Sequence, residues 1–447
     1  MIAGITVNTQ KFSSLDQWLD WQQLLHPAEI ELGLERVQQV WLALGALPLA
    51  DTIITVAGTN GKGSSIAYLE AIYTAAGYKV GSFTSPHLHS YTERIRVNGE
   101  AVSEQKICHA FQRIDLAREE ISLTYFEFAT LAALDIFSSH SLDIVLLEVG
   151  LGGRLDAVNI IDAHAVLLTS IGIDHVDWLG ATRELIGAEK AGVMRAGQVL
   201  VCADPSPPES VKIKAQQLNL SICLAEQDYL IQSSELAWSW IPNSVLYSET
   251  KPLHSLPFPI MRGAKQLHNS ASVIAMVMRL YQQHPVPIDA IRIGLQAAKV
   301  VGRFEVIPGP VTWVFDVAHN IDSTQALADN LRDMSCSGTT RALFSVLQDK
   351  DMLNIMEVIT DSIEQWFVCP IEAARGRSFE TIESEFEALK LHNTNQNFQT
   401  TYLFRDINAA LEAIVSESVV GDRVVVFGSF ILVAKVMSLY QAVYFAK

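Results

Sequence analysis

Cysteine is scarce in this 447-residue chain: five, at positions 108, 202, 223, 336 and 369, an odd number with neither a CxxC pair nor zinc-like spacing. A disulfide scaffold and a cysteine-ligated zinc site are therefore excluded, and core thiols in a reducing cytoplasm are expected. Positive charge is also in deficit. Thirty-two lysines and arginines stand against 49 aspartates and glutamates, a formal charge of −17. That balance opposes nonspecific attraction to nucleic acid or an anionic membrane, yet leaves room for a local anion site. Long apolar runs are missing too. The longest, near 424–434, is interrupted by Gly428 and Ser429, and the opening MIAGITVNTQKFSSLDQW has no basic stretch leading into an apolar one. Neither secretion nor membrane insertion is expected, and there is no internal repeat or low-complexity tract.

What is present is ample apolar content, 49%, in a chain too long for one ordinary core, so two domains are expected. Strand-like runs alternate with helical ones, the pattern of an α/β protein whose mostly parallel sheets are covered by helices. Strands are predicted at 52–57, 79–84, 143–149, 165–171 and 198–202. Ser14 to Leu25 reads as a helix opened by a capping box, Ser14 with Gln17. The segment 282–300, with two prolines and a short amphipathic helix, approaches a domain boundary, dividing the chain into 1–297 and 298–447. After Gly302 the alternation restarts, with strands at 312–317, 341–346, 366–369, 400–404 and 423–427, in a unit sized for a doubly wound domain. Residues 205–260 have poor periodicity and are the least readable.

The most informative stretch is TIITVAGTNGKGSS, 52–65. An apolar strand breaks into a glycine-rich turn with one lysine, and a helix follows, predicted from Ser65 to Ala76. Gly58, Gly61 and Gly63 let the backbone approach an anion closely, helix amides face the turn, and Lys62 adds charge for outer phosphates. The spacing departs from the usual Walker pattern, because only Thr59 and Asn60 separate Gly58 from Gly61 and Gly63 precedes Ser64.

Two further strand ends carry chemistry. Glu148 closes the strand 143–149 just before a glycine-rich loop, at the edge where open α/β sheets bind ligands. A carboxylate inside so apolar a strand is costly unless paired or coordinated. Asp174, His175 and Asp177 follow the strand 165–171 at the same kind of edge. Alone, His175 reads as a packed histidine more readily than as a metal ligand. Beside a phosphate loop, the pair fits a magnesium-nucleotide site, although magnesium favours oxygen ligands.

An ordered set of motifs spans nearly the whole chain: IELGLERV (30–37), GTNGKGS (58–64), TSPHL with ERIRVNGE (84–100), TYFEFAT (124–130), EVGLGGRLDAVN (148–159), DHVDWLG (174–180), EKAGVMR (189–195), GRFE (302–305) and DVAHN (316–320). Together they resemble the folylpolyglutamate synthase family with its bifunctional bacterial dihydrofolate synthase members, within the Mur ligase superfamily. The family's own loop has the GTNGKGS spelling, so the Walker departure supports the resemblance. The fold it implies is a Mur-ligase-like P-loop ATPase domain with a mostly parallel sheet, followed by a smaller Rossmann-like α/β domain.

The resemblance implies a site residue by residue. Thr59, Asn60, Gly61, Lys62, Gly63 and Ser64 match the nucleotide phosphate loop, and Asn269, Arg303 and Asp316 match further nucleotide contacts. Ser85, Glu148 and His175 match magnesium ligands, and Lys190 matches a lysine carbamylated in this family, whose carbamate helps hold a second magnesium ion. Lys62, Lys190 and His319 match residues that act on the reacting groups. Glu31, Leu32, Gly33 and Leu34, then Thr124, Tyr125, Phe126 and Glu127, then Leu155, Asp156 and Ala157 lie at positions assigned to the pterin side. Where the family spells LDATN, Val158 replaces the threonine. The activity implied is ATP-dependent addition of L-glutamate to dihydropteroate and to tetrahydrofolate or folylpolyglutamate through an acyl phosphate. A monofunctional folylpolyglutamate synthase or another Mur-type amide ligase is the alternative. The resemblance also raises a monovalent cation such as K⁺, a monomeric state, and no nucleic-acid or membrane partner.

Overall fold

The computed structural model describes residues 11–373, 375–392 and 400–444. Its first sheet has eight strands: β1 Ala50–Ala57, β2 Val80–Phe83, β3 Ile95–Val97, β4 Glu100–Ala101, β5 Leu142–Glu148, β6 Ala165–Leu168, β7 Val199–Cys202 and β8 Ile222–Leu224. Their spatial order is β4-β3-β2-β5-β1-β6-β7-β8, parallel except for β3 and β4, which run antiparallel at one edge. Both faces are buried, as a parallel sheet under helices requires. Along β5, Ile144 and Leu146 join one core while Val145 and Leu147 join the other, the two-residue alternation of a pleated strand.

The helix Lys62–Ala75 covers one face and is itself covered by Ala264–Arg279 and Ile288–Ala297. Contact with the latter is close. A Cβ on Gly294 would lie 2.4 Å from Ile72 Cγ1, so glycine there permits the approach. The poorly periodic 205–260 stretch forms the helix Glu209–Gln217, the strand β8 and an antiparallel sheet of β9 Tyr229–Ser233, β10 Trp238–Pro242 and β11 Leu253–Leu256. Trp238 and Trp240 are buried beneath it, each donating its indole N–H to a carbonyl, of Pro257 and Ala271.

A second, six-stranded sheet comprises β12 Glu305–Ile307, β13 Thr312–Phe315, β14 Thr340–Phe344, β15 Gln365–Val368, β16 Thr401–Leu403 and β17 Arg423–Phe427. The order is β12-β13-β17-β14-β15-β16, with only β12 antiparallel. Alternate residues of β17 again enter opposite cores, Val424 and Val426 on one side, Val425 and Phe427 on the other. This is the doubly wound α/β arrangement expected for the second unit.

Several details differ from the sequence reading. The helix predicted from Ser65 begins at Lys62, so the lysine is its first residue and Gly61, at φ 92°, its cap. The strand predicted over 165–171 ends at Leu168, because Thr169 to Gly172 leave the sheet to wrap the phosphate loop. At 14–25 only half the capping box forms: Ser14 Oγ accepts from Gln17 N, whereas Gln17 Oε1 turns to Ser13. All five cysteines are free, and four are buried. No helix among the described residues is long and apolar enough to cross a membrane.

Candidate active site

Parallel register brings three strand ends to one edge. Val56 pairs with Glu148 and Ala57 with Leu168, so the turn after β1 lies between the ends of β5 and β6. Gly58 is at φ 152°, and a Cβ there would lie 1.7 Å from Thr169 Oγ1; only glycine fits. Gly61 lies under Asn269, whose Oδ1 would meet an added Cβ at 2.7 Å. The segment after β6 braces the loop: Thr59 N donates to Ser170 O at 2.7 Å, and Gly172 N to Thr59 Oγ1 at 3.0 Å. Lys62 Nζ donates to the Gly58 and Thr59 carbonyls at 3.0 and 3.1 Å, which holds the ammonium inside the turn.

Glu148, 4% exposed, accepts from Ser85 N at 3.0 Å through Oε2, and its Oε1 makes no hydrogen bond to a described residue. Burial pushes the Glu148 carboxyl up and the Lys62 ammonium down, each partly offset by the other's charge. His175 sits in the left-handed region at φ 51°, a strained position for a non-glycine residue. Its buried Nδ1 has no hydrogen-bond partner, and burial followed by Lys350 lowers its pKa to about 4, so the ring is neutral. Lys190, 4% exposed, lies on the helix Arg183–Ala191; burial, then Lys62, brings its pKa down to about 7.

These residues fit a divalent cation. An orphaned neutral imidazole nitrogen, a carboxylate oxygen without a protein donor and the Ser85 side chain line one cavity. Among the described residues no three His, Cys, Asp or Glu side chains converge as a closed metal cluster. The protein would thus supply a partial shell, the usual arrangement when phosphate oxygens and water complete magnesium coordination.

The cavity, about 380 Å³, lies between the two sheets. From the first come Gly58 to Gly63, Ser85, Glu148, His175 and Lys190; from the carboxyl edge of the second come His319, Lys350, Arg375 and Phe430, with Arg303 from the turn before β12. Despite the chain's net charge of −17, the cavity gathers Lys62, Lys190, Arg303, Lys350 and Arg375 against the carboxylates of Glu148 and Asp174, a locally basic lining. Ser64, Asn269 and Asp316 instead line an adjoining cavity of about 610 Å³ on the other side of the loop, with Asn60, Gly61 and Arg303 common to both. Asp316 accepts from Phe304 N and Ala318 N, each at 2.8 Å, and burial raises its pKa against the pull of Arg303. It therefore shapes the segment that carries Arg303.

His319 Nδ1 lies 2.8 Å from Val317 O, which places the proton on Nδ1 and leaves Nε2 as the free acceptor. Nε2 lies 3.7 Å from Asp174 Oδ2. Burial and Lys350 lower the His319 pKa to about 4.

The residues assigned to the pterin side lie outside both cavities and are drawn together by their own contacts. Thr124 and Glu127 form a complete capping box on the helix Tyr125–Ser138, and Glu127 also accepts from Arg36, which holds Glu31. The Glu31–Leu34 loop is thereby tied to that helix. Phe126, part-exposed, abuts Gly150, where a Cβ would come within 2.6 Å of its ring. Asp156 is 2% exposed, and its two oxygens accept from Leu151 N at 2.8 Å and Val158 N at 3.0 Å. Burial raises its pKa to about 6 against those amides. Leu155 is part-exposed beside it, and Ala157 is buried.

Sequence reasoning missed Lys350, Asp174's partnership with it, and Asn320. Lys350 Nζ meets Asp174 Oδ1 at 2.5 Å, and Asn320 Nδ2 donates to Asp174 Oδ2 at 2.8 Å. Burial works against an ionised Asp174, but Lys350 and the two histidines outweigh it and hold the carboxyl far below its usual range. The carboxyl-edge rule applied to the end of β14 would have singled out Lys350 in SVLQDKD (345–351).

Residues 302–430 match the Mur ligase, glutamate ligase domain. Over 436 residues the chain is 37% identical to the dihydrofolate synthase/folylpolyglutamate synthase of Escherichia coli strain K12, with 97% of each sequence covered. E. coli FolC in complex with DHPP and ADP superposes with a TM-score of 0.87 at 36% identity, covering 96% of this chain and 98% of that one. A bifunctional folylpolyglutamate synthase/dihydrofolate synthase with Mn, AMPPNP and L-glutamate bound gives 0.85 at 39% identity, with 96% and 98% covered. With that likeness over nearly its whole length, the chain belongs to the dihydrofolate synthase/folylpolyglutamate synthase family of Mur-type ligases.

Proposed function

We propose that this enzyme uses ATP to join L-glutamate to a pterin-bearing carboxylate, dihydropteroate in one reaction and tetrahydrofolate or a folylpolyglutamate in the other. One observation carries the reading: the phosphate loop, Glu148, His175 and Lys190 share a single cavity with Arg303, His319 and Lys350 from the second sheet. The division between the two domains is placed at 297/298, just before the turn that delivers Arg303.

The chemistry follows from what a carboxylate lacks, a leaving group. A carboxylate oxygen of the acceptor attacks the γ-phosphorus, the bond to ADP breaks, and an acyl phosphate results. The glutamate amine then attacks the acyl carbon, the tetrahedral intermediate expels phosphate, and the nitrogen loses a proton. Lys62, held by its own turn, and Arg303 balance charge on the transferring phosphoryl oxygens. His319 Nε2, neutral and unprotonated, accepts the amine proton, and Asp174 stabilises the imidazolium so formed. Ser85, Glu148, His175 and a carbamate on Lys190 would hold magnesium, which when bound neutralises phosphate oxygens and orients them. A site assembled from two domains excludes the water that would hydrolyse the acyl phosphate.

On the acceptor side, Phe126 offers an aromatic face to the flat pterin, and Asp156 fixes the loop that completes its pocket. Five free thiols support a reducing, cytoplasmic setting. The deciding assay is ADP release by the purified protein with glutamate and either acceptor. Activity with both is expected, and activity with neither would sink the ligase reading.

A further inference from the structure

Four arginines among the described residues are buried; two have an ion-pair partner, and a third spends its donors on several neutral acceptors. Arg341 pairs with Asp422 and Arg377 with Glu385. Arg423 donates to the Leu331 and Met334 carbonyls and to the Thr340 hydroxyl. Arg94 differs. It is 7% exposed, its one side-chain hydrogen bond runs from Nε to His87 Nδ1 at 2.8 Å, and no carboxylate of a described residue lies within ion-pair reach. The imidazole that accepts this bond is never anionic, so it brings no compensating negative charge. The neighbouring Glu93 is committed elsewhere, accepting from the amides of Leu88, His89 and Ser90. A buried cation without an anion is among the costlier arrangements a protein can keep.

The surroundings suit an incoming anion. The guanidinium carbon lies 5.3 Å from the Tyr91 ring centroid and 5.5 Å from that of Tyr125, a setting that fixes the fork and keeps water away. Arg94 ends the turn Tyr91–Arg94. That turn follows Ser85 and Pro86, which line the reaction cavity, and Tyr125 is followed by Phe126 on the proposed pterin side. Arg94 thus lies between the segment that carries Ser85, through the bond from Thr84 N to its carbonyl at 2.9 Å, and Tyr125, the neighbour of Phe126.

We propose that Arg94 binds the non-reacting α-carboxylate at the glutamate end of a folate acceptor, a site that dihydropteroate leaves unused. This rests on the proposed two-acceptor ligase reading. Dihydropteroate has one carboxylate, which must reach the phosphate loop to be activated. A folate activates its side-chain carboxylate and carries a second one a short aliphatic spacer away, which needs a cation of its own. A guanidinium fork matches a carboxylate in bidentate fashion.

The test compares Arg94→Gln and Arg94→Lys with wild type on both acceptors. KM for tetrahydrofolate is expected to rise about tenfold or more with Gln, the scale of a lost charge-assisted hydrogen bond, and less with Lys. KM for dihydropteroate should change little. An equal rise for both acceptors, or a change in neither, overturns the proposal. A second measurement stands even if the variants fail to fold. On wild type, the α-carboxamide analogue of tetrahydrofolate, its reacting carboxylate intact, should show a comparable rise in KM, and an unchanged KM overturns the proposal. Wild type inactive with both natural acceptors would instead overturn the parent reading, so the two failures are distinguishable.

Discussion

Asp174, on the first sheet's side of the cleft, takes the ammonium of Lys350 from the second at 2.5 Å, with side chains only 9% and 7% exposed. A parallel tie joins Asn60 of the phosphate loop to Asn320, whose side-chain amides exchange hydrogen bonds of 3.2 Å in both directions. The two domains are therefore fastened beside the shared cavity, which Asn60, Asp174 and Lys350 line.

Removing one partner of a buried ion pair typically costs about 3–5 kcal/mol, because the other charge stays uncompensated. Opening of the cleft relieves that cost. Lys350→Ala is thus expected to enlarge the radius of gyration of the nucleotide-free protein in small-angle X-ray scattering and to cut turnover at least tenfold. Unchanged dimensions with normal turnover would show that the pair does not hold the closed form.

Lys62 makes its hydrogen bonds to its own turn, so Lys62→Ala should leave far-UV circular dichroism unchanged. Turnover at saturating ATP should fall by about two orders of magnitude or more, the scale of losing a group aimed at developing charge. Near-normal turnover would mean the lysine has been given the wrong role.

The phosphate loop was legible because each part has a local cause: an apolar strand, glycines where Thr169 and Asn269 press close, and a helix start. Glu148 was legible as a carboxylate at a buried strand end. The helix start was misplaced by three residues because glycines at 61 and 63 read as turn, although Gly61 is the cap itself. The short antiparallel strands β3, β4 and β9 to β12 were not legible, since their pairing is set by partners distant in sequence and by burial of Trp238 and Trp240. Lys350 reads locally as a solvated charge beside Asp349 in QDKD, and only the meeting of two sheet edges brings it Asp174. Asp156 was legible only as a pterin-side position through the resemblance; that its two oxygens also accept backbone amides of its own loop had no signal in the sequence.

That arrangement makes a mixed prediction for Asp156→Ala. Two amides lose their acceptor, so the unfolding free energy should drop by about 1–3 kcal/mol. KM for dihydropteroate should rise as the loop loosens, with ADP affinity unchanged by calorimetry. A parallel loss of ADP affinity would place Asp156 on the nucleotide side.

Lys190 ties pH to both activity and stability. Carbamylation needs the free amine, which with a pKa of about 7 becomes the major form above neutrality. Activity should therefore rise from about pH 6 to pH 8 and fall on removal of dissolved carbon dioxide. Lys190→Ala should lose most activity and recover part of it with small carboxylic acids. The folded pKa lies below the unfolded value of about 10.4, so the unfolded chain binds more protons between the two. The unmodified lysine therefore costs stability in full below pH 7, and stability rises with pH through that window. A bare amine at Nζ in a fully active, nucleotide- and metal-bound enzyme would contradict the assignment.

The central claim is that a carboxylate oxygen of either acceptor leaves with the phosphate. Acceptors labelled with ¹⁸O in the reacting carboxylate, turned over with ATP and glutamate, test it directly by mass spectrometry of the released phosphate. One labelled oxygen per phosphate is expected with dihydropteroate and with tetrahydrofolate alike; unlabelled phosphate accompanying amide product would contradict the acyl phosphate route.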